Sequence, residues 1–250
     1  MEEKVKFSII TPFHIYHVDR AKMLNRSVNS ILSQSYSNWE HILVNDGSKV
    51  PFDYPKDPRQ IYLEQEHKER AFAYNLGFKN ATGDWVCMLD SDDEYVSVYL
   101  EAVAKMIELY PEYKIFNFGS IHIHRDFNVT MKQVFKPARL ETGHIIFKSG
   151  DIVNGTFVFH RSLYEELGGF PEVTNCWDFA DEIYKQFPEV REMYKRVTDK
   201  GEIVYGEVGN PWGQDWAMFY KLTRKYFSQP INTWLYVVHP RQGHDQLVRK

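Results

Sequence analysis

Residues 85–93 read WVCMLDSDD, a short apolar run that leads directly into three aspartates. The run has the length and the residue types of a buried strand. The acidic residues therefore stand where the strand ends and a loop begins. Ligands of parallel sheets bind outside the carboxyl ends of the strands. The stretch thus predicts a sheet and the edge of that sheet where a ligand binds.

The surrounding sequence repeats this pattern. Apolar runs that predict strands occur at residues 7–11, 41–45, 61–63 and 115–118. Apolar residues at helical spacing lie between them, at 24–32, 70–79 and 100–110. Alternation of strands and helices is typical of βαβ units. We therefore expect an α/β fold with a mostly parallel central sheet flanked by helices.

The second half of the chain is less regular. We expect an antiparallel excursion over residues 121–150, strands at 157–159 and 234–238, and a helix at 214–225. Charged residues 178–200 predict a further helix, which Pro188 interrupts. Because neither an internal repeat nor a linker is evident, residues 1–250 are predicted to form a single domain.

The composition limits the class of partner and the compartment. The 250 residues contain 30 Lys+Arg and 34 Asp+Glu, a formal net charge of −4. Such a chain has no global basic field to hold nucleic acid or an anionic membrane. Two cysteines cannot form a disulfide framework, so a reducing compartment is expected. The sequence contains neither an apolar run long enough for a transmembrane helix nor a segment that resembles a signal peptide.

Asp90, Asp92 and Asp93 are the strongest chemical signal in the sequence. Carboxylates this close repel one another unless a cation joins them. Mg²⁺ and Mn²⁺ prefer oxygen ligands and commonly bridge carboxylates to phosphates. A metal-and-phosphate site is therefore favoured. The alternative is that Asp92 or Asp93 caps a helix beginning near Tyr95.

Two further positions lie near the expected strand ends. Asp46, in the sequence Asp46-Gly47-Ser48, follows the second strand and is a candidate for a nucleobase or ribose contact. The alternative is a plain turn. Arg70 enters a predicted helix, where it would neutralise a pyrophosphate or would simply be a solvated charge.

Two candidates lie in the second half. Asp215 stands at the start of a predicted helix and is either a general base or a helix N-terminal carboxylate. His239 follows the last predicted strand and is either a metal or phosphate ligand or a structural histidine.

Taken in order, the motifs resemble those of the family 2 glycosyltransferases, inverting enzymes with the GT-A fold. The matching segments are FSIITP at 7–12, SILSQSYSNWE at 30–40, VNDGS at 44–48, AYN at 73–75, ATGDW at 81–85, LDSDD at 89–93, GGFPE at 168–172, QDW at 214–216 and YVVH at 236–239. The resemblance is dense over residues 5–110 and sparse over 150–240.

The resemblance implies a sugar transfer from a nucleotide-diphosphate donor, with UDP-sugars the expected class, to a glycan or a lipid-linked acceptor. It assigns the donor nucleotide to Thr11, Asp46, Asp90 and Asp92, and Pro12 of the same opening motif and Arg70 complete the predicted donor site. It assigns the binding of Mn²⁺ or Mg²⁺ to Asp92, Asp93 and His239. It makes Asp215 the base that removes the proton from the acceptor hydroxyl. Residues 1–118 would bind the nucleotide sugar and 119–250 the acceptor. The expected location is the cytoplasm, with peripheral contact at the inner face of the membrane left open.

Three positions depart from the family pattern. Asn45 stands where an aspartate is usual, and Gln214 where a glutamate is usual. Residues 178–209 form an insertion that would be a lid over the acceptor or a partner surface.

Two other functions compete with the transfer reaction. A nucleotidyltransferase normally needs a glycine-rich loop after its first strand, and the sequence there, Thr11-Pro12-Phe13-His14, has no glycine. A non-catalytic nucleotide- or glycan-binding protein would not need the intact aspartates.

Overall fold

A computed structural model describes the parts of the chain that build the sheet and the helices around it. The described residues are 5–68, 70–124, 126–132, 154–170, 172, 185, 195–197, 203–205, 222, 226 and 228–240. The strands are β1 (Phe7–Phe13), β2 (Trp39–Asp46), β3 (Gln60–Gln65), β4 (Trp85–Met88), β5 (Glu94–Tyr95), β6 (Ile115–Ile123), β7 (Val129–Lys132), β8 (Phe157–His160), β9 (Lys195–Val197), β10 (Ile203–Tyr205) and β11 (Ser228–Val238). The helices are α1 (Val18–Leu32), α2 (Arg70–Asn80), α3 (Tyr99–Leu109) and α4 (Ser162–Leu167), with a 3-10 turn at Asn154–Thr156.

Nine strands form one sheet in the order β3-β2-β1-β4-β8-β6-β11-β5, with β7 added beside β6. Strands β1, β2, β3, β4, β6 and β11 share one direction, and β5, β7 and β8 run opposite to them. The predicted α/β fold with a mostly parallel sheet is therefore confirmed. Strands β9 and β10 form a separate antiparallel pair.

Strand β1 is buried along its whole length because apolar layers cover both faces of the sheet. Successive side chains of a strand point to opposite faces. Ile10 accordingly packs against α2, whereas Phe13 packs against Leu24 and Val28 of α1. The two helices therefore lie on opposite faces of the sheet, and both begin at its carboxyl edge.

The predicted strands at 7–11, 41–45, 61–63, 85–89, 115–118, 157–159 and 234–238 are present. The antiparallel excursion is confirmed over its first part, where β7 pairs with β6. The helix expected near Tyr95 is wrong at its start, because the two-residue strand β5 intervenes and α3 begins at Tyr99. Apart from Leu222, the helix expected at 214–225 lies outside the described residues, as does most of the insertion 178–209. The helix predicted over 178–200 is wrong at its end, because Lys195–Val197 form strand β9. The sheet takes strands from both 1–118 and 119–250, and the division into donor and acceptor halves stays a prediction.

A buried carboxylate connects the amino ends of the central strands. Glu40 of β2 is 6% exposed and accepts hydrogen bonds from the Ser8 hydroxyl at 2.5 Å, the Lys6 ammonium at 2.9 Å and the Thr82 amide at 2.6 Å. Gly83 is needed beside it, since a Cβ there would lie 2.7 Å from the Ser8 nitrogen. Burial alone would raise the pKa of Glu40, but the hydrogen bonds outweigh it and lower the pKa to about 2.

None of the described helices is both long and apolar enough to span a bilayer.

Replacing Glu40 should reveal this network. We expect Glu40→Gln to lower the free energy of unfolding near neutral pH by about 2–3 kcal/mol, because the folded state loses its preference for the charged form. The folded pKa lies below the unfolded value of 4.5, so the stabilisation is complete above that pH and is lost as the pH falls toward 2. Urea unfolding of both proteins at about pH 7 and about pH 3 measures the difference. Glu112→Gln, in the exposed turn after α3, is the control and should change neither value; an equal loss at both pH values for Glu40→Gln would contradict the account.

Candidate functional site

Three carboxylates meet where β4 ends. Asp90, Asp92 and Asp93 each offer an oxygen, and these oxygens lie within 4.8 Å of one another. A turn bond from the Asp93 amide to the Asp90 carbonyl, 3.1 Å long, folds the loop so that the three side chains converge. None of them caps α3, whose first turn follows Val98 without a side-chain cap. The capping alternative is therefore wrong for this helix.

Asp93 is the most buried of the three and is held by the last strand of the sheet. The Tyr236 hydroxyl donates to Oδ2 at 2.8 Å, and the His239 amide donates to Oδ1 at 3.1 Å. Burial, followed by the charges of Asp92 and Asp90, raises the pKa of Asp93 well above its usual range. A hard divalent cation would stabilise the charged form of Asp93, and three carboxylate oxygens are suitable ligands for such a cation. The residues present therefore fit a divalent metal.

Basic and hydroxyl groups surround the cluster. Nη1 of Arg20 lies 3.5 Å from Oδ2 of Asp92, and Nη1 of Arg70 lies 3.5 Å from Oδ1 of Asp90. The Tyr74 hydroxyl donates to the same Asp90 oxygen at 2.9 Å. Arg70 and Tyr74 are four residues apart on α2 and so share one helix face. Arg70 is thus not merely a solvated charge.

Arg26 has a different position from Arg20 and Arg70. Its Nη2 donates to the backbone carbonyl of Asp92 at 2.5 Å, and its Nε lies 2.9 Å from a Glu94 carboxylate oxygen. It therefore holds the backbone of the acidic loop against α1.

Asp46 is 5% exposed and lies at the end of β2 with both carboxylate oxygens engaged. Oδ1 accepts from the Gln65 side chain at 2.7 Å and the Lys68 amide at 3.0 Å, and Oδ2 lies 3.0 Å from Nδ1 of His67. Nδ1 of His14 lies 2.7 Å from the carbonyl oxygen of Asp46. The His14 ring stacks on the His67 ring, and the two ring centroids are 4.0 Å apart. The turn at Asp46 is therefore held in place by side chains from two other segments of the chain, so it is more than a plain turn.

Gly47 allows the close approach of His67 to this turn. Its φ is +64°, and a Cβ would lie 2.6 Å from the His67 nitrogen. Only glycine fits both conditions.

The structure accounts for Asn45 in place of an aspartate. Its side-chain nitrogen donates to the Tyr62 hydroxyl at 2.8 Å and to Oε1 of Glu64 at 3.1 Å, and its side-chain oxygen accepts from the Ser48 amide. An aspartate would lose both donated bonds and would face the Glu64 carboxylate.

Thr11 and Pro12 lie inside β1. At these two residues β1 pairs only with β2, because its pairing with β4 ends at Ile10. Thr11 is fully buried, and its hydroxyl lies 2.9 Å from Nε2 of His41. Burial lowers the pKa of His41 to about 3, so this partner is neutral. The side chain of Thr11 thus does not face the open edge, and the nucleoside contacts of Thr11 and Pro12 stay predictions.

His239 follows β11 and lies beside Glu94. Nε2 of His239 lies 2.9 Å from Oε1 of Glu94, and the ring is not among the described groups that converge with the three aspartates. Its role as a metal ligand stays a prediction. Asp215 lies outside the described residues.

Residues 168–170 and Glu172 are docked on α2. The Asn75 side chain accepts from the Phe170 amide and donates to the Phe170 carbonyl, both at 2.8 Å, and also donates to Glu172 at 2.9 Å. A Cβ on Gly169 would lie 2.1 Å from the Asn75 oxygen. The helix that contacts Asp90 therefore also holds a turn from the second half of the chain.

Sequence reasoning missed the roles of Arg20, Arg26 and Tyr236. Tyr236 belongs to a segment that resembles a family motif, and its hydroxyl could have been noted there. The two arginines carry no sequence signal, because their partners lie about seventy residues away along the chain.

The comparisons with known proteins agree with this geometry. The model of the family "Glycosyl transferase family 2" matches residues 8–168. The putative glycosyltransferase EpsE of Bacillus subtilis (strain 168) is 30% identical over 257 residues, which cover 96% of this chain and 89% of that protein. The Escherichia coli enzyme WfgD is named a UDP-Glc:alpha-D-GlcNAc-diphosphoundecaprenol beta-1,3-glucosyltransferase. It is 32% identical over 109 residues, which cover 39% of this chain and 43% of the enzyme.

Among solved structures, residues 1–349 of TarS from S. aureus match with a TM-score of 0.55 at 13% identity, covering 94% of this chain and 60% of that one. The same fragment in complex with UDP matches with a TM-score of 0.52 at 14% identity, with the same shares covered. This chain thus spans less than two thirds of the TarS fragment. At such identity the likeness establishes the fold, which is the GT-A fold.

The hydroxyl of Tyr236 should stabilise the folded protein by donating a hydrogen bond to the charged form of Asp93. We expect Tyr236→Phe to lower the free energy of unfolding by about 1–2 kcal/mol near neutral pH, because a buried carboxylate loses its donor while the ring still packs over Gly155. Loss of the donor raises the pKa of Asp93 further. The deficit should therefore be smallest at a pH below the raised folded pKa of Asp93, where this carboxyl is protonated in both folded proteins, and should grow as the pH rises through that folded pKa. Urea unfolding at about pH 4 and about pH 8 measures it.

The half-exposed Tyr110→Phe is the matched control and should have no effect at either pH. If the deficit of Tyr236→Phe does not change with pH, the hydroxyl does not act on the charge of Asp93 and the account is contradicted.

Proposed function

The chain belongs to glycosyl transferase family 2 and is a glycosyltransferase, and on this premise we propose that it moves a sugar from a UDP-sugar donor to a hydroxyl of a glycan or lipid-linked acceptor, with inversion at the anomeric carbon. One observation carries the proposal. The converging carboxylates of Asp90, Asp92 and Asp93 lie at the same edge of the sheet as Asp46, between the first turns of α1 and α2. A nucleoside diphosphate has a base at one end and a diphosphate at the other, and this edge offers a polar site for each.

Family membership sets aside the two competing functions. A nucleotidyltransferase would need a glycine-rich triphosphate-binding loop after β1, and the segment between β1 and α1, His14-Ile15-Tyr16-His17, has no glycine. A purely binding role does not fit a chain that matches a relative named as a putative glycosyltransferase over 96% of its length.

Asp46 is the proposed contact for the base. Three donors hold its carboxylate in one orientation, so a base would meet a fixed acceptor. Uridine nucleotides are supported as the donor class because a structural neighbour has been solved with UDP and a relative is named for UDP-Glc. Arg70 would lie beside the diphosphate from the side of α2.

Asp92 and Asp93, supported by Asp90 and with His239 nearby, would hold Mn²⁺ or Mg²⁺. When bound, the cation would neutralise charge that develops on the leaving diphosphate. The raised pKa of Asp93 supports this assignment, since an under-neutralised carboxylate gains most from a cation. Tyr236 and the His239 amide fix the orientation of the Asp93 side chain.

Asp215 is the proposed general base. It would take the proton from the acceptor hydroxyl as that oxygen bonds to the anomeric carbon and the bond to the diphosphate oxygen breaks, the electron pair leaving with the diphosphate. A single displacement of this kind inverts the anomeric centre. The insertion 178–209 would contribute to the acceptor side.

A cell-envelope polysaccharide is the proposed setting. A relative is named for an acceptor linked to diphosphoundecaprenol, which supports a lipid-linked acceptor at the inner face of the membrane. We propose a cytoplasmic enzyme that makes peripheral contact there.

Donor binding should require the acidic cluster. With Mn²⁺ and a UDP-sugar at about 100 times the Kd, mass action should add about 2.7 kcal/mol of stability, roughly 5–10 °C in Tm. We expect this rise for at least one UDP-sugar in a thermal-shift panel, a smaller rise without Mn²⁺, and none for Asp92→Asn. Asp53→Asn, whose side chain is 91% exposed, is the control and should behave as the unmodified chain. A panel in which no nucleotide sugar raises Tm would count against the proposal.

The role of Asp215 has a separate test. We expect Asp215→Asn to reduce transfer at least a hundredfold, in the range general-base catalysis contributes, while calorimetry shows nearly unchanged donor affinity. Loss of donor binding in this variant would place Asp215 in the donor site instead.

A further inference from the structure

Arg20 and Arg70 reach the acidic cluster from opposite faces of the sheet. Arg20 stands in the first turn of α1, and Arg70 is the first residue of α2. Each guanidinium lies 3.5 Å from a different carboxylate of the cluster, Arg20 from Asp92 and Arg70 from Asp90. The two cations therefore flank the edge where the proposed donor would lie.

A continuous series of contacts places Arg20 between the two ends of that donor. His14 contacts the Asp46 carbonyl, and its ring centroid lies 5.7 Å from that of Tyr16. The Arg20 guanidinium lies over the Tyr16 ring at 5.5 Å from the centroid and also faces Asp92. The diphosphate of a nucleotide that spans from Asp46 to Asp92 would pass this guanidinium.

The contact between Arg20 and Asp92 is loose enough to exchange. Charge-assisted hydrogen bonds are usually about 2.7–2.9 Å long, and this pair stands at 3.5 Å with the Arg20 side chain 21% exposed. The Asp92 side chain is 14% exposed, so water reaches both partners of this partly buried pair. Arg26 contrasts with it, since its bonds go to the loop backbone and to Glu94.

Resting on the proposed function, we infer that Arg20 is a diphosphate-binding residue that holds Asp92 until a divalent cation takes its place there. A divalent cation and the two negative charges of the diphosphate add no net charge to the site. With the cation on Asp92 and Arg20 on the phosphate, the formal charge of the site is therefore the same before and after binding. Nothing in this exchange requires α1 to move, because Arg20 has a long flexible side chain.

The inference predicts changes of opposite sign in one variant. In Arg20→Gln, Asp92 loses a competing cation, so Mn²⁺ alone should bind at least about threefold more tightly. UDP in the presence of Mn²⁺ should bind at least about tenfold more weakly, since a charged hydrogen bond to phosphate is lost. Uridine, which lacks phosphate, should bind unchanged. Isothermal titration of the full chain with Mn²⁺, UDP plus Mn²⁺, and uridine measures all three.

Two variants separate this role from a structural one. Lys22→Gln removes a positive charge on the same helix at a side chain that is 77% exposed, and it should leave all three affinities unchanged. Arg20→Lys keeps the charge and should lose less UDP affinity than Arg20→Gln; it also serves as the readout if Arg20→Gln does not fold. UDP and Mn²⁺ affinities that fall together, or UDP affinity that does not change, would overturn the inference. Failure of the unmodified chain to bind UDP with Mn²⁺ would instead overturn the proposed function beneath it.

Discussion

Repulsion between three carboxylates at the end of β4 is the constraint on which the rest of the site depends. Asp90, Asp92 and Asp93 cannot share this space as anions without positive or donor groups close by. Each neighbouring layer supplies one: Arg20 from α1, Arg70 from α2 and Tyr236 from β11. The two helices and the last strand thus each place a cation or a donor beside these carboxylates, and the negative charge of Asp93 is still only partly neutralised.

Closure by β11 makes this site a property of the whole sheet. The groups that orient Asp93 come from residues 236–239, and β11 reaches them by pairing with both β6 and β5. Gly155 permits the arrangement, since a Cβ there would lie 1.8 Å from the Tyr236 ring. The pairing of β5 with β11 therefore brings the end of the last strand beside the acidic loop.

The sequence was sufficient for the strands because the central runs are apolar on both faces, as for residues 7–11 and 85–89. It was sufficient for the acidic cluster because three aspartates directly follow one of those strands. It was not sufficient for β5, whose two residues carry no periodicity, nor for the partners of the cluster, since a contact such as Arg20 with Asp92 depends on how α1 crosses the sheet. Asn45 shows the same limit: its reason is the facing Glu64 on β3, which only the register reveals.

The two acidic sites at this edge differ in a way that suits different ligands. Asp46 has donors on both oxygens from one short segment, Gln65 to Lys68, so its direction is fixed and little of its charge is left uncompensated. A fixed acceptor of this kind favours a neutral hydrogen-bonding partner, as a base is. Asp92 lies 3.5 Å from the Arg20 guanidinium and converges with two other carboxylates, an arrangement that suits a cation. A ligand that is neutral at one end and pairs a cation with phosphates at the other would satisfy both sites at once, and neither end alone would.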